Sequence, residues 1–75
     1  MPNFDFTTMK WQGITVDDVI RWEKLFPDVD VVKEITKNMP IWLEKMAKTK
    51  KAHKKNWTRF ILGWLKRSQE RSIGQ

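Results

Sequence analysis

From Trp57 to Ser68 the apolar residues recur at intervals of three and four. Trp57, Phe60, Ile61, Trp64, Leu65 and Ser68 share one face of a helix, with Arg59, Lys66 and Glu70 opposite and Leu62 and Gly63 beside them. This spacing predicts an amphipathic helix running from about Lys54–Trp57 to Arg71, with Gly74 just beyond its end. Its wide aromatic face cannot stay in water, so the rest of the chain must cover it.

Only 75 residues are available to do so, and none is cysteine. A chain this short buries about 60% of the surface it exposes when unfolded. Without cysteine it has no disulfide framework or thiolate metal site to compensate. The compensation is aromatic bulk: five tryptophans and four phenylalanines, each able to bury roughly 150–250 Å². Their helical spacing assigns Trp42, Trp57 and Trp64 to the core, with Trp11 or Trp22 left partly exposed.

Two further helices are readable. Thr15 is placed to cap the first, which spans about Val16 to Phe26, with Asp17 and Asp18 at the positive end of its dipole and Pro27 ending it. Val16, Val19, Ile20, Trp22, Leu25 and Phe26 give it a broad apolar face. Asp28 or Asp30 caps the second helix, about Val31 to Met46, whose apolar face is Val32, Ile35, Met39, Trp42, Leu43 and Met46. Pro40 interrupts it, at a cost of roughly 3 kcal/mol in a regular helix. The face continues in phase across the proline, which predicts a kink or break there. Asn3 to Gly13 reads as an arm carrying Phe4, Phe6 and Trp11, either extended across the helices or a short edge strand. The expected fold is all-α: a compact three-helix domain (15–72) with an N-terminal aromatic arm (1–14) packed on it.

Charge is distributed unevenly. Ten of the fifteen Lys and Arg residues lie from Lys45 onward, where Glu70 is the sole acid, whereas residues 1–44 hold five basic and eight acidic side chains. A helix shaped only for solubility interleaves both signs. An uncompensated cluster instead sets up a field that attracts polyanions. Lys48, Lys50, Lys51, Lys54 and Lys55, in a polar connector ahead of the third helix, are candidates for phosphate contacts, which give affinity without sequence information. Arg59, Lys66 and Arg67 on that helix extend the set, while Asn56, Thr58 and Gln69 are polar groups able to read base edges or brace phosphates. Free amides at the start of the helix add to the attraction for phosphate. Tryptophan stacking on single-stranded bases is a second possibility, opposed by the core spacing of those rings.

Side chains for an enzyme are in poor supply, and an enzyme is not expected. His53 is the only histidine and has no co-ligand for zinc, so it reads as a solvated connector residue. Helix capping accounts for Asp17–Asp18 and for Asp28 and Asp30 without a metal ion. Glu34 and Glu44 have Lys37 and Lys48 as partners at helical spacing, worth about 0.3 kcal/mol each. There is no glycine-rich phosphate loop, and no cofactor is expected. No apolar run approaches the roughly 20 residues that span a bilayer, and the N-terminus lacks the pattern of a signal peptide; an intracellular protein is expected. The basic tryptophan-bearing helix resembles membrane-surface and calmodulin-target helices, but its apolar face has two preceding helices to pack on.

The order of these residues resembles a small domain of phage and prophage proteins, often found at the C-terminus of replication-initiator or helicase-loader-like proteins. The resemblance runs from Trp11-Gln12-Gly13-Ile14-Thr15 through Trp22, Phe26-Pro27-Asp28-Val29-Asp30, Glu34 and Trp42-Leu43. It ends in Lys54-Lys55-Asn56-Trp57-Thr58-Arg59-Phe60-Ile61 and Trp64-Leu65-Lys66-Arg67-Ser68-Gln69, the most specific block. It implies DNA replication in the cytoplasm of a bacterial host, with duplex DNA as the first candidate ligand. The alternative is a module that recruits a replication protein such as a helicase and binds DNA weakly or not at all.

Overall fold

The computed structural model describes residues 1–73; Gly74, expected just past the last helix, lies outside them. In chain order the elements are strands β1 (Asn3–Asp5) and β2 (Lys10–Gln12), helix α1 (Val16–Leu25), and a composite second helix. The second helix is made of an α-turn α2 (Val31–Lys33), a π-helical turn (Glu34–Asn38) and α3 (Met39–Lys45). A 3-10 turn (Lys50–Ala52) and α4 (Trp57–Ile73) follow.

The arm is a hairpin rather than a single extended segment. β1 and β2 pair antiparallel, with Phe4 opposite Trp11. Asp5 organises the turn between them: its Oδ1 accepts from the Thr7 amide at 2.8 Å and the Thr8 amide at 3.4 Å, and its Oδ2 from Gln12 Nε2 at 3.2 Å. A short aspartate carboxylate accepting nearby amides stabilises such turns. After β2 the chain reverses at Gly13, whose φ of +79° suits a residue without a side chain; a Cβ there would run into the Met1 carbonyl oxygen.

Helix α1 starts on the expected residue. Thr15 Oγ1 accepts from the Asp18 amide, and Asp18 Oδ2 accepts from the Thr15 amide at 3.0 Å, a reciprocal capping box. Its apolar face is narrower than expected, however. Trp22 is buried, whereas Val16, Ile20 and Leu25 are exposed, Leu25 at 58%. One short helix meets the rest along a single stripe, and these three side chains lie outside it. Of the two candidate caps for the second helix, Asp30 accepts from the Lys33 amide. Asp28 instead forms a two-way pair with Gln69 of α4: its amide donates to Gln69 Oε1 at 2.9 Å, and its Oδ2 accepts from Gln69 Nε2 at 2.8 Å.

The proline is accommodated by the π turn that ends just before it. A proline clashes with the carbonyl four residues back, here that of Thr36, and has no N–H to donate. In the π turn the Met39 amide reaches back to the Glu34 carbonyl, one residue beyond α-helical register. This frees the Ile35 carbonyl, since the next nitrogen belongs to Pro40. Trp11 Nε1 of the hairpin donates to that carbonyl at 3.0 Å. The hairpin is therefore hydrogen-bonded to the helix at the point where the helix lacks a donor.

The core has two adjoining parts. Trp22, Val31, Ile35, Met39, Ile61 and Leu65 form one, and Phe4, Leu43, Ala52 and Trp57 the other, with Trp11 and Phe60 packed against both. At the junction Trp11 meets Trp57 edge to face, with ring centroids 5.4 Å apart. The expected third-helix face is thus largely confirmed: Trp57, Ile61 and Leu65 are buried. Trp42 and Trp64 depart from expectation, being only half-buried, and both line a surface groove.

Candidate functional site

The connector between α3 and α4 leaves His53 exposed, as expected, yet it is anchored to the rest of the protein at two points. Ala52 is fully buried in the second core cluster. His53 Nε2 donates to the Ala47 carbonyl at 2.8 Å, and its ring lies 4.6 Å from that of Phe6. The histidine thus fastens the connector to the hairpin. Lys48, Lys50 and Lys51 are exposed. Lys54 is half-buried, with Nζ 5.7 Å from the Trp42 ring centroid and 5.5 Å from that of Phe60. A cation over two aromatic faces gains from their quadrupoles.

Asn56 closes the connector and caps α4. Its Oδ1 accepts from the Arg59 amide at 3.0 Å and its carbonyl from the Phe60 amide at 3.2 Å. One of the helix-start amides expected to be free for phosphate is therefore occupied. Gln69, expected to face a ligand, is held by Asp28.

Two grooves run along one flank of α4. The first, of about 410 Å³, is lined by Lys54, Lys55, Asn56, Arg59, Phe60, Gly63 and Arg67. The second, of about 370 Å³, is lined by Trp42, Lys54, Phe60, Trp64, Arg67 and Arg71. They share Lys54, Phe60 and Arg67, giving a continuous trough with an aromatic floor and basic walls. The single ion pair among the described residues joins Arg21 to Asp18 at 3.4 Å. Lys54, Lys55, Arg59, Arg67 and Arg71 therefore have no carboxylate partner among the described residues.

Glu34, whose expected partner was Lys37, turns inward. Its Oε1 accepts from Trp64 Nε1 at 2.8 Å and its Oε2 from Asn38 Nδ2. The carboxylate positions the Trp64 ring in the trough. The expected pair of Glu44 with Lys48 does not form.

The structure divides the expected basic site. Lys54, Lys55, Asn56, Arg59 and Arg67 come together in the first groove. Arg59 and Lys66, expected on the open face of the helix, border a third groove, which adjoins the first at Asn56, Arg59 and Gly63. That groove, of about 560 Å³, is lined by Leu25, Phe26, Thr58, Leu62 and Lys66 among others, and is mostly apolar. Lys48, Lys50 and Lys51 line none of these grooves. Trp42, Phe60, Trp64 and Arg71 were not expected at the site. The signal was in the sequence: Phe60, Trp64, Arg67 and Arg71 follow one another at intervals of four, three and four, a stripe beside the core-facing one.

Among the described residues no three of His, Asp and Glu converge as metal ligands, and no helix is long and apolar enough to cross a membrane. Comparison with protein-family models, curated proteins and solved structures finds no match.

Proposed function

We propose that the chain is a nucleic-acid-binding module, not an enzyme, and that it grips DNA phosphates along the trough on α4. The observation that carries this reading is the convergence of Lys54, Lys55, Arg59 and Arg67 on one groove with no carboxylate partner among the described residues. Such a groove supplies positive potential at fixed positions, and neutralised phosphates release their counterions. Lys48, Lys50 and Lys51, exposed on the connector, extend the field. Duplex DNA, the ligand expected from charge and resemblance, offers those phosphates in regular array. The phage replication setting and the bacterial cytoplasm belong to the same proposal and rest on the resemblance.

A salt titration tests it. Binding to a short DNA should weaken linearly in log K against log salt, with a slope of about −0.9 for each duplex phosphate contacted. A flat response, or no binding at low salt, rejects the reading.

A second reading, recruitment of a replication protein, is favoured by one feature. The third groove places exposed Leu25 beside Phe26 and Leu62, with Arg59 and Lys66 at its edge. An apolar cleft with a basic rim suits an acidic amphipathic segment of a partner.

A further inference from the structure

We infer that the trough also holds an unpaired base, stacked on the Trp42–Phe60–Trp64 floor, so that its preferred ligand is single-stranded nucleic acid rather than the duplex expected from charge and resemblance. The inference rests on the phosphate-binding reading above and specifies the ligand class for the same site.

The ring geometry sets how a base would enter. Trp42 and Phe60 lie 5.7 Å apart at 33°, and Trp64 stands 6.0 Å from Trp42 at 73°. A ring inserted between two others needs about 7 Å between them, two contacts of roughly 3.5 Å. Intercalation is therefore blocked, and a base must lie on an outward face. The position of Lys54 marks that face, because its Nζ sits over both Trp42 and Phe60. An ammonium over an aromatic face is replaceable by another π-system, and a flexible four-carbon stem lets it swing to a phosphate as the base arrives.

Charge complementarity completes the site. Arg67 and Arg71 lie one turn apart on the same wall, within the groove that contains Trp42 and Trp64. They can hold the phosphates on either side of a stacked base. A paired base in a duplex offers no free face to this floor, whereas an unpaired one does.

The test compares ligands before variants. The intact protein is titrated at low salt with a thymidine dodecamer, an abasic dodecamer of the same charge and a 12-base-pair duplex. Stacking of one base predicts binding of the thymidine strand roughly 5- to 150-fold tighter than the abasic strand, and tighter than the duplex. Trp42→Leu, checked for folding by circular dichroism, should bring the thymidine-to-abasic ratio toward one. Equal affinity for the thymidine and abasic strands overturns the stacking inference and leaves the phosphate reading standing. Duplex binding as tight as the thymidine strand overturns it in the same way. No binding of any of the three removes the inference together with the reading beneath it.

Discussion

Trp11 Nε1 donates to the main-chain carbonyl of Ile35 across 24 residues of sequence, at 3.0 Å. The acceptor is free because the π turn moves the Met39 amide to Glu34, and Pro40 has no amide to offer. One proline in the second helix thus creates the bond that docks the N-terminal hairpin.

Trp11→Phe keeps a ring in place but removes the donor. It should cost about 1–3 kcal/mol, the penalty of leaving a partly buried polar group unpaired. Replacing the proline supplies the test of cause. In a Pro40→Ala background the helix regains an amide, so Trp11→Phe should cost less by at least about 0.5 kcal/mol. Denaturant unfolding of the four proteins checks this; strictly additive effects would mean that the two sites are independent.

The cap of α1 gives a pH dependence. The Thr15 backbone amide, donating to the Asp18 carboxylate, holds that carboxyl below the usual aspartate range, with the Thr15 hydroxyl and Arg21 acting in the same direction and desolvation opposing them. A group with a depressed folded-state value stabilises the fold fully above its unfolded value, near 3.9, and this contribution is lost as pH falls through the lower folded value. The melting temperature should therefore fall below about pH 4 more steeply for the natural chain than for Asp18→Asn. Parallel curves would show that the capping box does not contribute.

Asn56 separates a structural role from a binding one. Asn56→Ala should destabilise the protein by about 0.5–2 kcal/mol through loss of the α4 cap. Asn56→Ser retains a capping oxygen and should restore most of that stability. Thermal melts of the two variants decide it, and equal losses would argue against capping.

How much of this was legible in the sequence depended on the reach of each interaction. The Thr15 cap, the three helices and the buried Trp57–Ile61–Leu65 stripe all follow from spacing within one helix, and each was readable. The hairpin's turn at Asp5 is local, but its docking was not legible, because Trp11 and Phe4 meet helices more than twenty residues away. Trp42 on α3 and Trp64 on α4 have core spacing, yet each sits at the edge of its helix's apolar face, where only the packed neighbours determine burial. Glu34 looked like a surface partner for Lys37 because sequence reveals neighbours on its own helix and not the Trp64 indole on another. The basic cluster was visible as a count of charges; its distribution among the grooves along α4 depended on where α1 and the connector pack.

The most direct measurement is the affinity for one short single-stranded DNA, at fixed low salt, of two double variants with equal loss of charge. Arg59→Ala with Arg67→Ala strips two cations from the trough; Lys24→Ala with Lys37→Ala strips two from exposed sites elsewhere. If the trough grips phosphates, the first pair should weaken binding by about tenfold or more and flatten the salt slope by roughly 0.7 for each phosphate no longer neutralised, while the second should change the affinity by no more than about twofold. Equally weakened binding in the two variants would contradict a phosphate site on α4 and reduce the attraction to diffuse net charge.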